Sequence, residues 1–158
     1  MINSWVALRT TRIGVLVIAW FNLVSAIAGG IGLIFGDGIG MPSAWLEGSV
    51  FSSYLWPGII LGVIVGGSQA LALLASYGHR KWALDFQIAA GLIMMIWIFV
   101  EIAIILVWSP LQGIYFATGL VQTVLAVLLL GAGPRPFMTG ISPAATRTHS
   151  GIPDESTR

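Results

Sequence analysis

The chain reads as all-α, a polytopic membrane protein whose four transmembrane helices form one bundle with short loops and a disordered C-terminal tail. Three observations predict that class. Hydrophobic residues make up 57% of the sequence and charged residues 8%, and mean hydropathy is +0.94, far from the mix of a water-soluble domain. Four apolar runs are long enough to cross hydrocarbon as helices of ~20 residues. All of the Lys and Arg residues fall on segments that four crossings place on one side.

Residues 1–12 form a short arm carrying Arg9 and Arg12, and the first apolar helix covers about 13–35 without a charge. Ala26-Ile27-Ala28 mimics the small-residue cleavage site of a secretory signal. The apolar run continues past it to Phe35, as a spanning helix requires and the short core of a signal does not, so the segment is read as a retained helix. The loop 36–57 has Asp37 and Glu47 but no Lys or Arg. Its Trp45, Tyr54 and Trp56 suit a membrane–water interface. Ala44 to Leu55 is a candidate for a short interfacial helix anchored by Trp45, Leu46, Val50 and Phe51. A plain connecting loop is preferred to a lid over a binding site.

The second helix covers about 58–77, opening beside Pro57, which is tolerated in a first turn. Gly58, Gly62, Gly66 and Ala70 leave one face almost bare, a small-xxx-small stripe that lets another backbone come close in lipid. Ala26 with Gly30, and Ala28 with Gly32, repeat the pattern weakly in helix one. A contact between helices one and two is the plainer expectation, and a homodimer through the same stripe the sharper one. The basic turn 78–82 holds His79, Arg80 and Lys81. His79 has no second ligand nearby, so no metal is assigned. Asp85 opens helix three, where it complements the helix dipole and is placed to pair with Arg80 or Lys81.

Helix three, about 83–108, carries the one acidic residue inside an apolar run, Glu101. It lies about 5 Å from the middle of the Ile88–Trp108 stretch at the helical rise per residue. An ionised carboxylate facing lipid there costs at least ~2.5 kcal/mol, so Glu101 is expected to face other helices, take a proton, or both. Met94, Trp97, Glu101 and Trp108 share a face by three- and four-residue spacing. Thr118 and Tyr115 on helix four, and Ser25 and Asn22 on helix one, are the expected partners of Glu101. After the turn Ser109-Pro110-Leu111-Gln112-Gly113, helix four covers about 114–132. Asn22 and Ser25, Ser68 and Gln69, and Gln122 and Thr123 fall near mid-depth of helices one, two and four, with Glu101 slightly outward, level with Thr118. The candidate buried polar site is therefore Glu101, Trp97, Asn22, Ser25, Gln69, Thr118 and Gln122. The division is a transmembrane domain at 1–132 and a tail at 133–158, whose Pro, Gly, Ser and Thr content cannot build a core.

The absence of cysteine excludes disulfides, thiolate metal sites and thiol redox chemistry. No nucleotide-binding, hydrolase or zinc motif occurs, and one glutamate without convergent His, Asp or Cys is no catalytic constellation. The expectation is a protein that is not an enzyme and takes no cofactor, no metal and no nucleic acid. The bases on Arg9, Arg12, Arg80, Lys81, Arg135, Arg147 and Arg158 place both termini in the cytoplasm of a cell (plasma) membrane protein.

The segment from Pro57 to Leu130 resembles small four-helix bacterial integral membrane proteins of uncharacterised function. The likeness rests on the glycine-rich second helix, the basic turn with Trp82, the run from Trp97 to Glu101, and Pro110-Leu111-Gln112 followed by Tyr115-Phe116. That resemblance implies the four-helix fold and transfers no activity. Small multidrug exporters have their buried glutamate in the first helix, and quinone-linked thiol oxidoreductases need cysteine pairs, so neither pattern fits. Two functions remain. One is a structural or accessory membrane subunit, packed as a homo-oligomer or within a larger membrane complex. The other is an oligomeric small-molecule or proton-coupled transporter with Glu101 as the protonatable site.

Overall fold

A computed structural model describes residues 2–40, 42, 46, 51–105 and 108–132. The expected tail at 133–158 lies outside these residues, as do Trp45, Glu47 and Val50 of the long loop. Four helices are long and apolar enough to cross a membrane, and this is an all-α, multi-pass membrane protein. Helix α1 is Ile2–Phe35 and is followed by a 3-10 turn at Asp37–Gly40. Helix α2 is Leu55–Tyr77, α3 is Ala83–Ile105 and α4 is Pro110–Ala132.

The boundaries differ from expectation in ways with local causes. The arm before residue 13 is helical, and α1 runs 34 residues, about 50 Å at the helical rise against ~30 Å of hydrocarbon. Arg9 and Arg12 are therefore carried on a helical extension of the span. Thr10 and Thr11 stay compatible with it by donating their hydroxyls back to the carbonyls of Val6 and Ala7, both at 2.9 Å. The described part of the stretch 44–55 is not a surface helix: Leu46 and Tyr54 are buried, and Phe51 to Ser53 are non-helical. Tyr54 donates its phenol to the Pro42 carbonyl at 2.8 Å, which folds the loop inward, while Leu55 and Trp56 at its end stay exposed.

Helix α4 begins four residues earlier than expected because Ser109 to Gln112 is a capping box. The Ser109 hydroxyl accepts from Leu111 N–H at 3.3 Å, and Gln112 Oε1 accepts from Ser109 N–H at 2.8 Å. Two orphan donors are thereby satisfied reciprocally, and Pro110 occupies the first helical position where its missing N–H costs nothing. Trp108 is exposed and non-helical, so it does not share the face of Met94, Trp97 and Glu101.

The glycines set the packing. A Cβ on Gly30 would stand 2.8 Å from the Gly58 carbonyl oxygen and 2.9 Å from Gly62 Cα, and one on Gly66 would sit 3.4 Å from Ile27. The Gly58–Gly62–Gly66 stripe thus lies against α1, and Ala70 continues it against the Ala19, Leu23 and Leu73 cluster. Between Ile60 and Val65 the helix widens into a π turn. A π turn rotates less per residue than an α-helix, which offsets the drift a four-residue spacing accumulates in a 3.6-residue helix. All three glycines stay on α1 as a result. A second crossing, absent from the sequence reading, joins α3 to α4: a Cβ on Gly119 would meet the Gly91 carbonyl at 2.9 Å, and one on Gly91 the Gly119 carbonyl at 2.7 Å. Val65, Met94, Trp97, Ile98 and Ala26 fill the centre. Large apolar side chains such as Val17, Val63, Leu74, Phe99 and Leu128 remain exposed around the outside, as lipid-facing positions should.

Candidate functional site

Packing at these two glycine crossings brings four side-chain amides together in the middle of the bundle. Gln122 on α4 is the hub. Its Oε1 accepts from Asn22 Nδ2 on α1 at 3.0 Å. Its Nε2 donates to Gln69 Oε1 on α2 at 2.9 Å and to Gln87 Oε1 on α3 at 2.8 Å. Thr118 donates to Asn22 Oδ1 at 2.8 Å. Gln69 Nε2 reaches the Ala90 carbonyl at 3.3 Å, and Gln87 Nε2 reaches Ser76 Oγ at 3.0 Å and the Ala72 carbonyl at 3.3 Å. Asn22, Gln69 and Gln122 are 0% exposed and Gln87 1%. A primary amide in hydrocarbon is tolerated when its donors and acceptor are met, and here each amide meets another.

Of the residues singled out from sequence, Asn22, Gln69, Thr118 and Gln122 meet in this network. Ser25 is half-buried beside it on α1 and takes no part. Ser68 and Thr123 turn back to their own helices, to Val65 O at 2.7 Å and Gly119 O at 2.9 Å. Gln87 and Ser76 were missed. The signal for Gln87 is the same three- and four-residue spacing that links Trp97 to Met94, carried back through Ala90.

Glu101 stands apart from the network. None of the four expected partners reaches it; instead Gln112 Nε2 donates to Glu101 Oε1 at 3.5 Å. The cause is the early start of α4, which makes Gln112 a helical residue turned inward at the level of Glu101. Glu101 is half-buried and borders a cavity of about 40 Å³ with Trp97, Tyr54, Pro57 and Leu46, enough for one or two waters. Trp97 is 6% exposed, and among the described residues its Nε1 is the buried side-chain atom left without a hydrogen-bond partner. The residue that carries this unpaired donor and the acid thus line one small, mostly apolar space beneath the loop. At its rim, burial pushes the Tyr54 phenol above its ordinary value, which keeps it a donor to Pro42.

At the opposite end, Arg12, the turn after α2 and the last turns of α4 converge on a larger cleft of about 310 Å³. The expected pairing of Asp85 with Arg80 or Lys81 is not made: Asp85 is exposed in the first turn of α3 and has no ion pair among the described residues. Among the described residues, no three His, Asp or Glu side chains gather in one place.

No family model, curated protein or solved structure matches this chain. The resemblance to small bacterial four-helix proteins thus gains no family from comparison, and what stands is the architecture of four membrane-spanning helices.

Proposed function

We propose that this protein is a structural or accessory membrane subunit, assembling as a homo-oligomer or within a larger membrane complex. The observation that carries this reading is the engagement of Asn22, Gln69, Gln87 and Gln122 with one another at the bundle centre. Side chains that are fully buried and bonded among themselves hold register between helices; they offer no donor or acceptor to a passing solute. The glycine stripe of α2 is taken up by α1, so assembly would use the apolar outer faces. In this reading the protein sits in the plasma membrane with both termini cytoplasmic, since Arg9, Arg12, Arg80 and Lys81 precede or join spans on one side and the loop 36–57 has no base. A reporter fused after Arg158 is expected to be active on the cytoplasmic side only. The function itself is tested by purification in mild detergent and native mass spectrometry. A stoichiometric assembly, with itself or another subunit, is expected, and a lone monomer under all mild conditions refutes it.

A second reading, an oligomeric transporter, is favoured by one observation: Glu101 and Trp97, whose Nε1 is without a partner among the described residues, line the same cavity. It requires that vesicles containing the protein conduct protons or a small solute with a pH dependence that Glu101→Gln abolishes. Equal, background-level flux in both proteins rules it out.

A further inference from the structure

The cleft at the basic end of the bundle is lined by Arg12 from α1 and by His79 and Arg80 from the turn after α2, with Ser76 and Gln87 on its floor. The polar groups of that floor are already engaged. Ser76 donates to the Ala72 carbonyl at 2.7 Å and accepts from Gln87, and Gln87 Oε1 is held by Gln122. Of the residues lining the cleft, Arg12, Arg80 and His79 carry side-chain donors that make no hydrogen bond among the described residues. Among the described residues, no carboxylate lines it and neither arginine is in an ion pair. Residues 68 positions apart in sequence are thus brought to one concavity with a single sign of charge.

The turn holds its shape at a conformational cost. Arg80 N–H bonds the Ala75 carbonyl at 3.0 Å and His79 N–H the Ser76 carbonyl at 3.4 Å, the pairing of a Schellman cap. That cap puts a residue in the left-handed region, where glycine is favoured. Here His79 occupies it with φ 49, while the adjacent Gly78 keeps φ −74. The strained position therefore carries a ring and not a bare backbone, on a residue that lines the cleft. The other walls, including Leu16 and Leu129, are apolar and belong to helices whose outer faces meet lipid.

We propose that this cleft binds a phosphate-bearing anion, and that its source is the headgroup of an anionic phospholipid. Guanidinium groups match phosphate oxygens by paired donors. Basic pockets between helices, flanked by apolar walls, suit a headgroup whose acyl chains continue along the helix surface. A freely dissolved phosphate would use the same cations and none of the apolar wall.

The test is native mass spectrometry and thermal-shift titration of the full-length protein in detergent, with phosphatidylglycerol, phosphatidylcholine or inorganic phosphate added separately. Phosphatidylglycerol is expected to be retained over phosphatidylcholine and to raise the melting temperature, with retention falling as salt is raised. Arg12→Gln and Arg80→Gln should each weaken retention about fivefold, while Lys81→Gln, outside the cleft, should leave it within about twofold. Arginine-dependent binding of inorganic phosphate with no preference for phosphatidylglycerol would keep the phosphate site and refute the lipid source. Retention of both lipids alike, or equal losses from Lys81→Gln and the arginine variants, overturns the site. The salt series on the unaltered protein decides the matter even if a variant fails to fold: salt-insensitive retention also overturns it.

Discussion

Replacing Gln122 with leucine removes the hub of the central network while keeping nearly the same volume. Three bonds are lost, to Asn22, Gln69 and Gln87 at 3.0, 2.9 and 2.8 Å. Interhelical bonds in a membrane average ~0.6 kcal/mol, so three of them set a floor of about 2 kcal/mol. The partners make the loss larger. Asn22 Nδ2, Gln69 Oε1 and Gln87 Oε1 are left at positions no more than 1% exposed, where water cannot replace the amide. A penalty of ~1 kcal/mol for each unpaired group raises the expected loss to about 3–5 kcal/mol. The assay is reversible unfolding in mixed micelles, followed by tryptophan fluorescence. A double-mutant cycle of Asn22→Ala and Gln122→Ala should give a coupling between ~0.6 and ~1.7 kcal/mol. A loss below ~0.6 kcal/mol for Gln122→Leu, the worth of one average bond, together with zero coupling, would refute the network as a source of stability.

Gly30→Ala should destabilise by about 1–3 kcal/mol through collision with the Gly58 carbonyl, whereas Gly62→Ala, whose Cβ would meet only Gly30 Cα at 3.8 Å, should change the melting temperature little; equal effects would place the contact elsewhere. Ser109→Ala should cost ~1 kcal/mol by removing the cap of α4, read as faster amide exchange confined to residues 111–113; unchanged exchange there refutes the capping box. Because burial raises the Tyr54 phenol, its stabilising effect is fully present below the unfolded value near ~10 and is lost as pH rises beyond it. Tyr54→Phe should flatten that alkaline decline, and an identical decline in both proteins would exclude Tyr54 as its cause.

Composition and charge placement determined much of this protein before any fold was known. Spanning helices must satisfy their backbone internally, so four apolar runs of this length read as four helices, and small residues at four-residue spacing favour a face where backbones approach. Gly58, Gly62 and Gly66 were legible for that reason, as were Asn22, Gln69 and Gln122, polar groups at similar depth that must find one another in hydrocarbon. The capping box at Ser109 was equally present in the residues, but the proline beside it reads first as a helix breaker. Tertiary structure alone decided the rest. Which helix covers the glycine stripe depends on the π turn in α2, a register change without a sequence period. The partner of Glu101 depends on where α4 begins, and the junction of Arg12 with His79 and Arg80 depends on how far α1 extends beyond its apolar run. Each is a relation between helices, and periodicity along one helix specifies a face without naming what lies against it.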